Sequence, residues 1–173
     1  MDEATFWQII EETKAASNGN IDKQYRLLID RIAQLSVDDI VEFKAIYWDL
    51  MNIADTRTIG AAFRLIAIYG SDDSFADFCG WLISRGKAVF YQALENPEIL
   101  ADLPEQELKD PELDLFGAIY HGYKDKTREE EFPPAKRESI KRKEFEGDWE
   151  SEEAAKVYPR LGLVYKKKIE EED

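Results

Sequence analysis

Apolar residues recur at steps of three and four along this chain, and residues that favour helix caps stand between the apolar segments. Steps of three and four place side chains on one face of an α-helix. Asn20 and Ser36 precede two such segments, and each can accept the unpaired N–H groups of a first helical turn. The spacing therefore predicts a mainly α-helical protein. Its clearest apolar face is formed by Ile21, Tyr25, Leu28, Ile32 and Leu35.

The segment from residue 59 to residue 69 is apolar nearly all round, with Arg64 as its one charged residue. A helix with this pattern is surrounded by other helices. A buried strand over Phe63–Ile68 is the alternative, because periodicity does not decide the state of a short apolar run. We favour the helix because Gly60-Ala61-Ala62 suits close helix packing and the sequence shows no second strand. The expected fold is all-α: a compact orthogonal bundle of several helices around a central apolar helix pair, with an irregular C-terminal extension.

The length of 173 residues fits a single domain. We expect a helical core domain over residues 1–123. Residues 124–165 are expected to form a charged surface excursion and a short C-terminal helix packed on the same domain, since Phe132-Pro133-Pro134 interrupts regular helix. Residues 166–173 hold three Lys, three Glu and one Asp around Ile169. That composition at a chain end predicts a disordered tail.

The net charge of −14 narrows the classes of partner. Nucleic acids and anionic membranes both attract Lys and Arg, so we expect neither as a partner. A basic protein, bound one to one, is the expected partner; the alternative is that the acidity only keeps the protein soluble. The single cysteine cannot form an internal disulfide, and Met1-Asp2-Glu3 lacks the basic and apolar start of a signal peptide. The expected compartment is the cytoplasm.

Residues that carry catalysis or bind metal are scarce in this chain. One histidine, His121, and one cysteine, Cys79, cannot supply the usual ligand sets for zinc. The glycine-rich loops that bind phosphates and the calcium loop of the EF-hand are absent from the sequence. We interpret Cys79 as core packing and His121 as a helix-terminal residue that faces solvent or stacks on a tyrosine. The expectation is a non-enzymatic protein without metal or cofactor.

Two adjacent carboxylates, Asp72 and Asp73, precede an apolar segment, with Arg64 and Arg85 on flanking helices and Tyr91 nearby. In one interpretation these five side chains line a pocket for a cationic or phosphorylated group, or supply an acid–base pair. In the other, which we favour, the acids cap a helix and interact favourably with its dipole. Convergence of the five side chains beside a cavity would support the pocket.

Residues 95–114 carry eight acids against the single base Lys109. Leucine and isoleucine residues stand between the acids, and apolar anchors ringed by one sign of charge suit an interface for a basic protein. The alternative is a solvated surface whose leucines point inward. The candidate partner-binding residues are Glu95, Glu98, Asp102, Glu105, Glu107, Asp110, Glu112 and Asp114.

Several short motifs follow one another in a characteristic order. They are Phe6-Trp7, Ser71-Asp72-Asp73 followed by Phe75, Trp81-Leu82-Ile83 with Gly86, Pro97, and Trp149 with Tyr158-Pro159-Arg160-Leu161. As a set they resemble the bacterial family known as domain of unknown function 4240, over most of residues 3–163 and chiefly over 71–97. Cys79-Gly80 and the 124–148 excursion depart from that pattern. The resemblance implies a compact, mainly helical bacterial domain and implies no activity.

Three functions remain open at this point. The favoured one is an inhibitor or immunity protein that neutralises a basic toxin or enzyme partner through a rigid complementary face. The second is a regulatory or scaffolding helical module that self-associates through exposed aromatic residues. The third, which we favour least, is a small-ligand-binding domain or enzyme that uses Asp72 and Asp73.

Overall fold

A computed structural model describes residues 1–68, 71–141 and 147–172, and these residues form helices and connecting segments without a β-strand. The prediction of an all-α protein is confirmed. The alternative of a strand over Phe63–Ile68 is wrong, because α4 covers most of that segment. The helices are α1 Glu3–Ser17, α2 Ile21–Ala33, α3 Val37–Ala54, α4 Arg57–Ile66, α5 Asp72–Ser84, α6 Lys87–Glu95, a 3-10 helix Pro97–Asp102, α7 Glu105–Leu108, α8 Leu115–Thr127, α9 Ser151–Val157 and α10 Pro159–Glu172.

The helix boundaries follow from local capping chemistry. Asn20 accepts the N–H of Lys23 through its side-chain oxygen at 2.7 Å, and Ser36 accepts the N–H of Asp39 at 3.1 Å. Each bond satisfies one of the N–H groups that a first helical turn leaves unpaired. Asn18 ends α1 in the left-handed conformation, with φ of 53°. Helices α2 and α3 therefore begin directly after the residues that the sequence predicts as their caps.

The core is formed by apolar faces of α1, α2, α3, α4, α5 and α8. Phe6 and Phe43 lie fully buried with ring centroids 4.3 Å apart, and Phe78 and Trp81 of α5 are also fully buried. Helices α2 and α8 approach closely at Gly122, where an added Cβ would lie 2.7 Å from Ile32 Cγ2. The largest aromatic residues thus fix how the helices sit around α5.

The C-terminal segment is more ordered than its composition predicts. The structure continues α10 to Glu172, where the sequence predicts a disordered tail from residue 166. Lys167 Nζ lies 2.7 Å from Glu105 Oε2, and Lys168 Nζ donates to the carbonyl of Ile66 at 2.5 Å. Helix α10 packs against α4, α9 and the 3-10 helix. Charged residues that look solvated in the sequence therefore have partners more than sixty residues away.

None of the helices within the described ranges has both the length and the apolar character needed to cross a bilayer. The longest described helix is α3, with 18 residues, and it carries four carboxylate side chains along its length. Three of these carboxylates, Asp38, Glu42 and Asp49, lie on one side of α3.

Candidate functional site

Arg85, one of the predicted pocket residues, lies inside the protein at the end of α5. Its side chain is 1% exposed and forms an ion pair with Glu107 of α7. Its second terminal nitrogen donates to Gln24 Oε1 at 2.6 Å and to Ser84 Oγ at 2.9 Å. Gln24 in turn donates to the carbonyl of Ser84 at 3.0 Å. The network satisfies the buried guanidinium internally, so Arg85 holds α2, α5 and α7 together.

The other predicted pocket residues do not join Arg85. Arg64 lies 3.9 Å from Asp148, and the Tyr91 hydroxyl donates to Glu3 at 3.0 Å. Burial and that hydrogen bond raise the pKa of Tyr91 to about 12. Asp73 is an exposed residue of the first turn of α5. The described side chains of the predicted pocket therefore do not converge.

The N-cap of α5 also differs from the prediction. Ser71 accepts the N–H of Ser74 at 3.4 Å through its hydroxyl, and the helix begins at Asp72. The two acids thus occupy the first turn, where negative charge is favoured by the helix dipole. This local geometry accounts for the Ser-Asp-Asp motif without a ligand.

The acidic stretch is divided between internal contacts and solvent. Glu98 accepts the backbone N–H of Arg160 at 3.0 Å, and Asp102 forms an ion pair with the guanidinium of the same residue. Glu105 pairs with Lys167, and Glu107 is 8% exposed and paired with Arg85. We call these four residues the engaged acids: Glu98, Asp102, Glu105 and Glu107.

The prediction of one continuous acidic interface over residues 95–114 is therefore corrected. Glu107 is buried and cannot contact a partner. Three of the engaged acids hold the N-terminal half of α10 and its Lys167 against the 3-10 helix and α7. Glu95, Asp110 and Glu112 are exposed, and Asp114 caps α8 by accepting the N–H of Gly117 at 2.7 Å. The stretch therefore contains some acids that contact other parts of the protein and others whose side chains are exposed to solvent.

Sequence reasoning did not find the exposed aromatic pair formed by Trp48 of α3 and Phe116 of α8. Trp48 is 42% exposed and Phe116 is 37% exposed, although their ring centroids are 5.6 Å apart. Tyr47 lies beneath them, 3% exposed, with its ring centroid 5.0 Å from that of Trp48. Two large aromatic side chains therefore meet at the surface on a rigid aromatic support. The helical spacing gave no signal for this contact because the two residues lie on different helices.

Carboxylates that form no ion pair with any described residue stand beside this aromatic pair. Asp114 lies two residues before Phe116, and the N–H of Leu113 donates to the carbonyl of Asp77 at 3.1 Å, which holds the loop against α5. Burial raises the pKa of Asp77, and the negative charges of Asp114, Glu112 and Asp73 raise it further. In the part of the chain that the structure describes, no base lies within 4 Å of Asp77, Glu112 or Asp114. We call these residues together the aromatic–acidic patch: Trp48, Asp77, Glu112, Asp114 and Phe116.

The carboxylates of the patch also affect the pKa of Tyr47, whose buried ring lies beneath the exposed aromatic pair. The pKa of Tyr47 is raised by burial first, and then by the carboxylates of Asp114 and Asp77. Cys79 is fully buried, and burial raises the pKa of its thiol, which therefore remains protonated. It packs as a small apolar residue, as predicted. The patch thus combines exposed aromatic rings with negative potential.

The single histidine and an open surface depression lie apart from the predicted pocket residues. His121 is exposed with its ring 5.5 Å from that of Tyr120, as predicted, but α8 continues to Thr127, so the prediction that His121 lies at a helix end is wrong. An open depression of about 550 Å³ lies between α8 and the segment after it, lined among others by Tyr123, Phe132 and Glu129. None of the predicted pocket residues lines it. Across the described ranges, no three His, Cys, Asp or Glu side chains are grouped closely enough to ligate one metal ion.

The family of this chain is shown by a match over residues 1–124, from α1 to the last turn of α8. The chain belongs to the family described as protein of unknown function DUF4240. The match ends before Trp149 and Tyr158, so the last motif of the predicted resemblance lies outside it. Comparisons with curated proteins and with solved structures found no match.

Proposed function

We propose that this protein is a non-catalytic binding protein that holds a basic segment of one protein partner on the aromatic–acidic patch. In its most specific form it is an inhibitor or immunity protein that neutralises a basic toxin or enzyme in the cytoplasm. The observation that carries the proposal is the exposed contact between Trp48 and Phe116 beside carboxylates that contact no base among the described residues.

The chemistry of the patch fits an arginine or lysine side chain. A cation over an aromatic ring is attracted by the electrons of the ring face, and tryptophan gives the strongest such interaction. A carboxylate at the edge of the rings can accept hydrogen bonds from the same cation. Asp77 gains from this arrangement, because a partner cation would relieve the repulsion by Asp114 and Glu112. Aromatic anchors of this kind contribute a large share of the binding energy in protein interfaces.

The same charges disfavour self-association through this patch. A symmetric dimer would place each patch opposite its own copy. The carboxylates of both copies would then face one another, and like charges at an interface lower affinity. A basic partner is therefore favoured over the scaffolding alternative in its simplest form. The net charge of −14 would accelerate the approach of such a partner.

The proposal can be tested with peptides whose charge is the only variable. An octapeptide bearing Arg and Lys is titrated into the ¹⁵N-labelled protein, beside a matched peptide in which Gln replaces every base. We expect the basic peptide to shift the indole N–H of Trp48 and the amides around Phe116, and the Gln peptide to leave them unchanged. Higher ionic strength should weaken the binding, because the attraction between the charges is screened.

Variants then separate the patch from other exposed apolar residues. Trp48→Ala and Phe116→Ala should each weaken binding by about tenfold, which corresponds to about 1.4 kcal/mol. Leu163→Ala is the matched control, because Leu163 is 67% exposed and lies on α10. Equal weakening by the control, or peptide-induced shifts spread evenly over the surface, would contradict the proposal.

A further inference from the structure

One face of α3 carries a row of polar side chains. Asp38, Glu42, Asp49 and Asn52 follow one another at spacings of four, seven and three. These spacings place the four side chains on one side of the helix. We call this row the α3 stripe.

A basic segment of the same chain lies on the α3 stripe. Lys136 Nζ lies 2.7 Å from Asp38 Oδ2, and Arg137 Nη2 lies 2.8 Å from Asp49 Oδ2. The second oxygen of Asp49 accepts the backbone N–H of Ile140 at 2.6 Å, and Asn52 donates to the carbonyl of Ile140 at 2.8 Å. We call residues 136–141 the strap. The α3 stripe thus holds an extended basic segment by its charges and its backbone.

The strap is held by polar contacts and buries little apolar surface. Lys136 is 77% exposed, its partner Asp38 is 76% exposed, and Ile140 is 45% exposed. Exposed ion pairs of this kind contribute little to stability. Asp49 is different, because it is 3% exposed and both groups that its carboxylate contacts belong to the strap. Removing the strap would return that carboxylate to water, which lowers the cost of displacement.

The α3 stripe and the aromatic–acidic patch are neighbours. Trp48 stands four residues before Asn52, so both side chains lie on the same side of α3. Because Asn52 binds the carbonyl of Ile140, Ile140 lies about one turn of α3 from Trp48. A segment lying on the patch can therefore continue along the α3 stripe only where the strap now lies.

We infer that the α3 stripe is a second part of the partner-binding surface, and that an extended basic segment of the partner replaces the strap there. This inference rests on the function proposed above. The strap acts as an internal occupant that keeps Asp49 paired while no partner is bound. Because the stripe is free only in the fraction of molecules whose strap is detached, the strap lowers the apparent affinity for the partner by that fraction.

The experiment uses the same basic octapeptide and measures its dissociation constant by NMR titration. Arg137→Ala removes an anchor of the strap and should raise the affinity at least threefold. Lys126→Ala is the matched control, because it removes one positive charge from an exposed position on α8. Asp49→Asn in the Arg137→Ala background should lower the affinity again. Thermal unfolding of each variant verifies that it is folded.

Hydrogen exchange gives a direct reading of the strap. The amide of Ile140 should exchange faster when the peptide saturates the parent protein, because its acceptor on Asp49 is then occupied by the peptide. Continued protection of Ile140 in the saturated complex would overturn the inference. So would an Arg137→Ala variant that binds the peptide no more tightly than Lys126→Ala, or one that does not bind it.

The outcomes also separate this inference from the proposed function. If Trp48→Ala weakens binding while Arg137→Ala and Asp49→Asn leave it unchanged, the patch binds the partner and the α3 stripe does not. If Arg137→Ala and Asp49→Asn act as expected while Trp48→Ala has no effect, the stripe binds basic segments and the patch proposal fails. If none of the three substitutions alters binding, both are wrong.

Discussion

The engaged acids and the aromatic–acidic patch are both rich in carboxylates, but they differ in what faces them. Lys167 lies against Glu105 and lowers its pKa through a hydrogen bond and its charge. Burial and neighbouring carboxylates raise the pKa of Asp77. An engaged acid is paired with a base or a backbone N–H of its own chain, whereas under the proposed function an acid that faces other acids is available to a partner. The strong net charge therefore does not by itself locate the proposed binding surface.

The buried ion pair of Arg85 and Glu107 tests whether burial makes an engaged acid important for stability. Breaking it should give the largest loss of stability. Glu107→Ala leaves the guanidinium of Arg85 buried without its carboxylate, and removing one partner of a buried ion pair costs about 3–5 kcal/mol. Urea denaturation of parent and variant measures the loss. The control is Glu105→Ala, two residues away, whose carboxylate is exposed and whose loss should change the midpoint little. Similar midpoints for the two variants would show that burial does not distinguish these acids.

Charge reversal tests whether the aromatic–acidic patch binds the basic peptide, and it should give an intermediate effect on the affinity. Glu112→Lys places a positive charge in the aromatic–acidic patch and should weaken binding of the basic octapeptide by about three- to tenfold, since like charges at an interface lower affinity. Glu95→Lys makes the same change at the end of α6, which packs against the 3-10 helix, α4 and α5.

Both reversals alter the net charge equally, so the comparison isolates position. At physiological ionic strength charges act over about 8 Å, and Glu95→Lys should leave the affinity of the peptide unchanged. Equal weakening by the two variants, measured by NMR titration, would mean that net charge and not the patch attracts the peptide.

Carboxyl titration should show the smallest and most direct difference between the two regions. The ¹³C carboxyl shift of Asp77 should titrate above the ordinary range of aspartate, and that of Glu105 below the ordinary range of glutamate. Asp114→Asn should lower the pKa of Asp77, and Lys167→Ala should raise the pKa of Glu105. Midpoints that stay in place in these variants would contradict the assigned causes.

The two shifts also have opposite effects on stability. Asp77 binds its proton more tightly in the folded than in the unfolded protein, so its contribution becomes less favourable as pH rises from the ordinary pKa through the raised one. Glu105 binds its proton less tightly when folded, so its contribution is present above the ordinary pKa and is lost as pH falls through the lowered one.

The sequence predicts those features that depend on neighbours within one or two helical turns. The apolar face of α2 and the caps at Asn20 and Ser36 belong to this class, because each is set by residues three or four positions apart. The sequence also predicts that α4 is helical, although a buried strand was the alternative interpretation of that segment. The all-α fold follows from such local rules.

Contacts between distant residues account for what the sequence does not predict. Trp48 and Phe116 meet only because α3 and α8 pack together, and Arg85 finds Glu107 through the packing of α5 and α7. Composition marks Glu107 as one more surface acid, since a buried glutamate has no local signature. The helical state of Lys166–Glu172 likewise depends on partners near residues 66 and 105.

The docking of α10 also sets an order of events during synthesis. Lys168 binds the carbonyl of Ile66, a residue 102 positions earlier, and Leu161 is fully buried in the core. Ribosomes add roughly 5–20 residues per second, so α4 and the 3-10 helix emerge seconds before the helix that covers them. During that interval the site for Leu161 is an open apolar surface on the nascent chain.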